Sequence, residues 1–214
     1  MKATQESPEF ELTGGALCLD FANTLGDRPR STEESLGSYD DFLRWSRQAQ
    51  TLPPADLDEL ERLARERPAS TLRVFKTAIA LREIFYRIFS RLARGEQAVE
   101  DDLEVLNAAL PKAMRRLEIR ERDGAFDWEW GGPSQAFDRP LWPLIRSAAE
   151  LLTSGETNRI RECASETCSW LFIDRSRNRR RRWCDMTTCG NRAKARRHYE
   201  RRKRSSLAGS VTAS

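Results

Sequence analysis

Four of the chain's five cysteines are confined to one short stretch, as Cys163-x4-Cys168, a spacer of fifteen residues, and Cys184-x4-Cys189. Two matched pairs of this kind clip a chain around an ion. Clustered thiols in a reducing compartment bind metal more often than they form disulfides, and two short loops can present four thiolates tetrahedrally to Zn2+ at about 2.3 Å. Four sulfurs leave no position open for water, so the expected cofactor is one structural zinc ion held by Cys163, Cys168, Cys184 and Cys189. The stretch carries few apolar residues, chiefly Trp170, Leu171, Phe172, Ile173 and Trp183. Zinc binding in such modules contributes roughly 10 to 16 kcal/mol, so folding here is expected to be coupled to the metal, with the aromatic rings covering it. Cys18, set in Ala16-Leu17-Cys18-Leu19, reads instead as a small buried hydrophobe.

Charge is segregated with the cysteines. The whole chain carries +4 over 214 residues, but positions 159 to 204 hold 16 Lys or Arg against 5 Asp or Glu, a local +11 that leaves −7 for the rest. An acidic body with a basic segment points to a polyanion, above all double-stranded DNA, while a membrane surface or an acidic protein stays open on charge alone. From Asn191 onward strong helix formers and the absence of Pro predict a helix. Arg192, Arg196 and Tyr199 fall on one face of it, and Lys194, Arg197 and Arg201 on an adjacent one. Arginine grips phosphate and guanine edges with two prongs, which makes these residues the candidate nucleic-acid contacts. Arg179, Arg180, Arg181 and Arg182, in what reads as a hairpin tip or exposed loop from Asp174, are candidates for backbone contact. Exposed Trp170, Phe172 and Trp183 would instead favour an RNA-binding module that stacks unpaired bases.

The preceding 157 residues read as mainly helix. A short strand is expected at Phe10 to Leu12, before Gly14-Gly15, and helices over 17 to 25, from the Ser38 cap through Trp45, from 55 to 66, from about Leu72 to Gly95, from Val99 to Pro111 and from Leu141 to Leu152. Leu117, Ile119, Phe126, Trp128 and Trp130 alternate about Asp123-Gly124, a hairpin signal. Asp20, Asn23 and Arg28, with Arg30, are candidates for a small-ligand pocket, against the alternative of helix surface and loop. A single histidine, His198, argues against His-ligated metal enzymes, and the body shows no glycine-rich phosphate loop and no localised carboxylate pair, so the protein is expected not to be an enzyme. An N-terminal enzyme using Asp20 and Arg28, with the zinc module as an accessory, is the competing reading. No apolar run reaches the roughly 18 to 20 residues of a membrane span, and the polar start is unlike a signal peptide, so cytoplasmic residence and no membrane partner are expected. The fold class expected is mainly α with a small β-hairpin. It divides into a helical domain at 1–157, a zinc-binding module at 158–204 made of a short β-hairpin and a basic helix, and a disordered tail at 205–214.

Two motifs carry a family resemblance. Cys163-x4-Cys168-Ser-Trp-Leu-Phe-Ile-Asp-Arg-Ser-Arg-Asn, followed by Arg182-Trp183-Cys184-Asp-Met-x-x-Cys189-Gly190-Asn191-Arg192, resembles the CGNR zinc finger. Gly14-Gly15-Ala16-Leu17-Cys18-Leu19-Asp20-Phe21-Ala22-Asn23-Thr24-Leu25 is similar to the opening of the ABATE-type domain that precedes this finger in proteins described as stress-induced transcription regulators. The resemblance implies a bacterial cytoplasmic regulator, in part nucleoid-associated, with a zinc-dependent DNA-binding C-terminus and an N-terminal domain able to sense a small-molecule effector.

Overall fold

The structure is a computed structural model that describes residues 10–28 and 34–211, with the side chains of 200 and 203–211 excepted. The longest apolar periodicity in the chain becomes its axis. Of the elements numbered here in chain order, α4 (Pro68–Ala93) is the longest helix, opened by a proline in its first turn and buried along Leu81, Ile84, Phe85, Ile88 and Phe89. Against it pack α1 (Leu17–Ala22), α2 (Tyr39–Gln48), α3 (Pro54–Glu66) and α5 (Glu100–Met114). The helix α6 (Leu141–Thr153) closes the bundle against α1 and α5. Phe21 of α1 sits at the centre, its ring 5.4 Å from Phe42, 5.1 Å from Trp45 and 6.5 Å from Phe85. Ser38 caps α2 by accepting from the Asp41 backbone N–H at 3.1 Å, and Asp41 accepts in return from Gly37 N–H at 2.8 Å.

Two arginines are buried among the described residues, Arg82 and Arg139, and Arg82 is the deeper. Arg82, only 2% exposed, donates to both Glu34 carboxylate oxygens at 2.6 and 2.7 Å, to Glu83 at 2.9 Å and to the Thr24 hydroxyl at 3.2 Å. Removing either acid would leave a desolvated charge, the expensive half of a buried ion pair.

Between α5 and α6 stands the hairpin of β1 (Leu117–Arg122) and β2 (Ala125–Trp130), in the register Leu117↔Trp130, Ile119↔Trp128 and Glu121↔Phe126. Asp123 and Gly124 take φ of 51° and 78°, the pair of positive values that a two-residue turn between twisted strands requires. A second antiparallel pair joins β3 (Ile160–Glu162) to β4 (Leu171–Ile173), and α7 (Asn191–Val211) ends the described chain. The architecture is therefore mainly helical with two small hairpins, and none of the described helices is long and apolar enough to cross a membrane.

Three local expectations change, and one alternative is decided. Phe10 to Leu12 forms no strand, because the Phe10 backbone N–H and C=O are taken by the Gln48 side-chain amide rather than by another chain segment. Pro111 does not end α5, which runs to Met114: the carbonyl that its missing N–H leaves unbonded, that of Asn107, lies at an exposed position, while Ala113 is fully buried and holds the last turn. Of the two forms left open for the arginine stretch from Asp174, the structure has the exposed loop at 175–180 and not the hairpin tip, which is the first cysteine pair between β3 and β4. Finally, α7 continues to Val211, well into the segment expected to be a tail, and 212–214 lie outside the described residues, as does Arg30.

Candidate metal centre and nucleic-acid interface

The β3–β4 hairpin carries Cys163 and Cys168 in its connection. Cys163 N–H extends the ladder to Trp170 C=O at 2.8 Å, and Cys168 N–H closes a turn on Ser165 C=O at 3.2 Å. The second pair is built by Asp185, whose carboxylate accepts from the backbone N–H groups of Thr187 and Thr188 at 2.7 and 2.8 Å. Those bonds, led by the Thr187 hydroxyl, hold the Asp185 carboxyl down at about 2. The wide turn Met186–Gly190 then delivers Cys189 to the cluster and runs into α7. A Cβ at Gly190 would lie 2.9 Å from the sulfur of the half-exposed Met186 side chain and 3.3 Å from the Trp183 ring, so any larger residue there has to displace the end of Met186. Ala164 N–H donates to Arg182 C=O at 2.8 Å and stitches the two pairs together.

The four sulfurs lie within 4.8 Å of one another, Cys168 to Cys184 at 3.7 Å and Cys184 to Cys189 at 3.6 Å. The edge of a tetrahedron with 2.3 Å zinc–sulfur bonds is about 3.8 Å, so the residues fit the ion. Contacts from Cys168 and Cys184 favour the Cys163 thiolate and pull it below the ordinary thiol range. The reciprocal contacts push Cys168 and Cys184 up, and burial pushes Cys189 up. Four thiolates this close coexist only around a cation. Phe172 is fully buried beneath the cluster, with Trp170 and Trp183 half-buried against it, so the rings cover the sulfurs.

Asp174 anchors the arginine loop from inside. Fully buried, it accepts from Ser176 N–H at 2.9 Å, from the Ser176 hydroxyl at 2.5 Å and from Arg181 N–H at 2.9 Å. Burial works against its charge, but these donors outweigh burial and keep the carboxyl below its ordinary range. Arg181 turns inward: its guanidinium lies 4.4 Å over the Phe172 ring and donates to the carbonyls of Trp183, at 2.9 Å, and Cys184. Arg179 and Arg180 are exposed, and Arg182 lies 5.1 Å over the Trp183 ring.

Arg182 meets α7 across a cleft of about 280 Å³ bounded by Ser165, Glu166, Thr167, Trp183, Arg192, Arg196 and Arg197. Arg192 donates to the Thr167 hydroxyl at 3.0 Å, and Arg196 pairs with Glu166. Four of the nine expected nucleic-acid contacts thus converge, while Lys194 and Arg201 lie on α7 outside the cleft lining. The hydroxyls of Ser165 and Thr167 and the acid Glu166 are cleft residues that the sequence reading passed over, while Trp183, expected to cover the zinc, also borders the cleft. The three polar residues in succession inside the first Cys-x4-Cys loop, Ser165-Glu166-Thr167, were the available signal.

Of the expected pocket residues, Asn23 joins the helical body to the zinc module through its side chain and Arg28 through its backbone, while Asp20 holds Gly14 beside that seam. At the C-terminal end of α1, Asn23 donates its amide to Leu171 C=O at 2.9 Å and accepts from Leu171 N–H at 2.8 Å, satisfying both backbone groups as a strand neighbour would. Ile173 N–H donates to Gly14 C=O at 2.9 Å, and the Ser169 hydroxyl bridges Gly26 C=O and Arg28 N–H, each at 3.2 Å. A Cβ at Gly14 would lie 2.8 Å from that of Leu19, so only glycine lets this segment fold back over α1. Asp20 accepts from Gly14 N–H at 2.7 Å, and burial raises its carboxyl to about 6. Asp20 and Asn23 also border a cavity of about 370 Å³ with Arg44, Trp45 and Trp170. The Arg28 side chain turns away from that cavity, 3.7 Å over the Tyr86 ring and donating to Glu83 and to Ala22 C=O. Ile160, Leu171 and Ile173 belong to the same buried core as Phe21 and Phe85, so β3 and β4 are packed as part of the helical body.

Comparison with known proteins agrees with this layout. Residues 15–155 match the family model ABATE, described as "Putative stress-induced transcription regulator", and residues 159–202 match the CGNR zinc finger. No curated protein matches the chain significantly. With its matched segment covering most of the helical body and a cysteine cage at the finger's position, the chain belongs to the ABATE family and carries a CGNR zinc finger.

Proposed function

We propose that the protein is a zinc-dependent DNA-binding transcription regulator working in the cytoplasm, and not an enzyme. The observation that supports it best is the cleft where Arg182, Arg192, Arg196 and Arg197 converge beside two hydroxyls, at the root of a helix whose first residues follow a zinc ligand. Guanidinium groups fixed this way match phosphate oxygens, and a rooted helix carries further cations toward a groove at a set angle. Cys163, Cys168, Cys184 and Cys189 would hold the zinc ion, which would supply a charge-neutralising cross-link between the two cysteine loops. Titration of random-sequence duplex with zinc-loaded protein tests the reading. Log K should fall with log salt at about 0.9 per neutralised phosphate. Affinity that ignores salt, or binding confined to single-stranded RNA, would overturn it.

A second reading concerns the cavity beside Asp20. It is bounded both by the helical body and by Trp170 of the zinc module, which is where an effector would have to sit to alter their contact. We propose a small polar effector there. A thermal-shift screen of the full chain against Asp20→Ala tests it, since binding that survives the substitution would place the effector elsewhere.

A further inference from the structure

On the face of the β1–β2 hairpin that carries Leu117 and Trp130, three large apolar side chains stand in water: Ile119 is 62% exposed, Phe126 70% and Trp128 58%. The root of that face is covered, where the Trp130 ring lies 6.1 Å from Trp142, and one side of the Trp128 ring meets the Arg146 guanidinium at 5.1 Å, while Ile119 and Phe126 stay open. Two-stranded ribbons are marginal alone, and adjacent apolar side chains at this exposure mark a contact surface. A groove of about 490 Å³ opens beside it between α4, α5 and α6, lined by Leu81, Ile84, Val105, Ala109, Trp142 and Ile145. Val105, at 45% exposed, leaves it unfilled. Arg73 and Lys112 stand on its rim with Asp138.

Prong and groove complement each other in chemistry as well as in shape. Residues 117–130 hold five acids against two arginines. Arg120 and Arg122 are paired to Glu118 and Glu129 at 2.8 and 2.6 Å, which leaves Glu121 beside the apolar face, opposite Phe126. An apolar prong carrying an acid therefore answers an apolar groove carrying rim cations. The prong's root and the groove share Trp142, so both lie on one side of the molecule and cannot be filled by each other within one chain without unmaking that root. A two-fold contact fills both at once, because a surface that holds a knob and a matching hole side by side is self-complementary. We infer that the protein is a homodimer in which the β1–β2 hairpin of each copy inserts Phe126 and Trp128 into the α4–α5–α6 groove of the other, with Glu121 facing Lys112.

The test uses the zinc-loaded full chain. Sedimentation equilibrium should give a dimer at micromolar concentrations, and Phe126→Ser or Val105→Asp should weaken it by roughly tenfold or more without altering the helical circular dichroism. Glu121→Lys and Lys112→Glu should each weaken the dimer, and the double exchange should restore it. A photo-cross-linking phenylalanine analogue at 126 should join two chains and map to α4, α5 or α6 of the other copy. A monomer at all concentrations, a dimer indifferent to these substitutions, cross-links outside the groove, or a monomer that co-purifies with a small apolar molecule in the groove would each overturn the inference.

Discussion

Asn23 spans the seam between the two family segments with one amide, whose Nδ2 donates to and whose Oδ1 accepts from the same backbone residue, Leu171. Asn23→Ala leaves both Leu171 backbone groups buried without partners, so the expected loss is about 1 to 3 kcal/mol in denaturant unfolding, with faster hydrogen exchange at the Leu171 amide. Unchanged exchange at Leu171 would refute the role. Asp20 carries a pH prediction. Its carboxyl is raised by burial from about 3.9 in the unfolded chain to about 6 in the folded one, so the folded state binds the proton more tightly. The stability this contributes is complete below about pH 4 and is lost as pH rises through about 6. Asp20→Asn keeps the acceptor for Gly14 N–H and should flatten the thermal-unfolding profile across that window. Both residues were legible as unusual, since Asp and Asn beside a double glycine stood out, but their partners were not. Leu171 lies 148 residues away from Asn23, and no local pattern encodes a contact at that separation. Asp174 was missed for the same reason: in sequence it heads an arginine run, and only burial shows it to be the hub that orders the run.

At the level of elements, the zinc module splits. Its β-hairpin is secured by the body's core through Ile160, Leu171 and Ile173, whereas the two cysteine loops and the root of α7 contact little but the sulfur cluster and its rings. Zinc chelation, or Cys184→Ser, is therefore expected to free the loops and the start of α7 while β3 and β4 stay protected. Hydrogen exchange by mass spectrometry reads this directly; loss of protection across 160–162 and 171–173 would contradict it. Elements with strong periodicity and clear punctuation were readable from sequence, as α4 and the Asp123-Gly124 hairpin show. The failures came where tertiary contacts replaced local rules. Pro111 is tolerated inside α5 because solvent meets the unbonded carbonyl, and Phe10 pairs with a glutamine side chain in place of a strand.

Across the whole molecule, the basic segment carries an acid of its own inside the arginine cleft, Glu166, paired with Arg196. On the proposed function, Glu166 would compete with phosphate for Arg196, so Glu166→Gln should tighten duplex binding several-fold, while Arg192→Ala should weaken it about equally for all sequences and lower the salt slope by about 1. Fluorescence anisotropy at several salt concentrations measures both, and a weaker complex for Glu166→Gln would show that the acid serves the cleft's shape instead. Residue types and their spacing determined, from sequence alone, the four-sulfur cage, the helical body and the location of the positive charge, because metal chemistry, periodicity and charge counting are local or compositional properties. Which arginines converge, which one turns inward onto Phe172, that the finger's hairpin belongs to the body's core, and that Phe126 and Trp128 face water were decided only in three dimensions. Burial and hydrogen-bond partnership depend on what the rest of the chain places nearby, and that is set by packing over long separations.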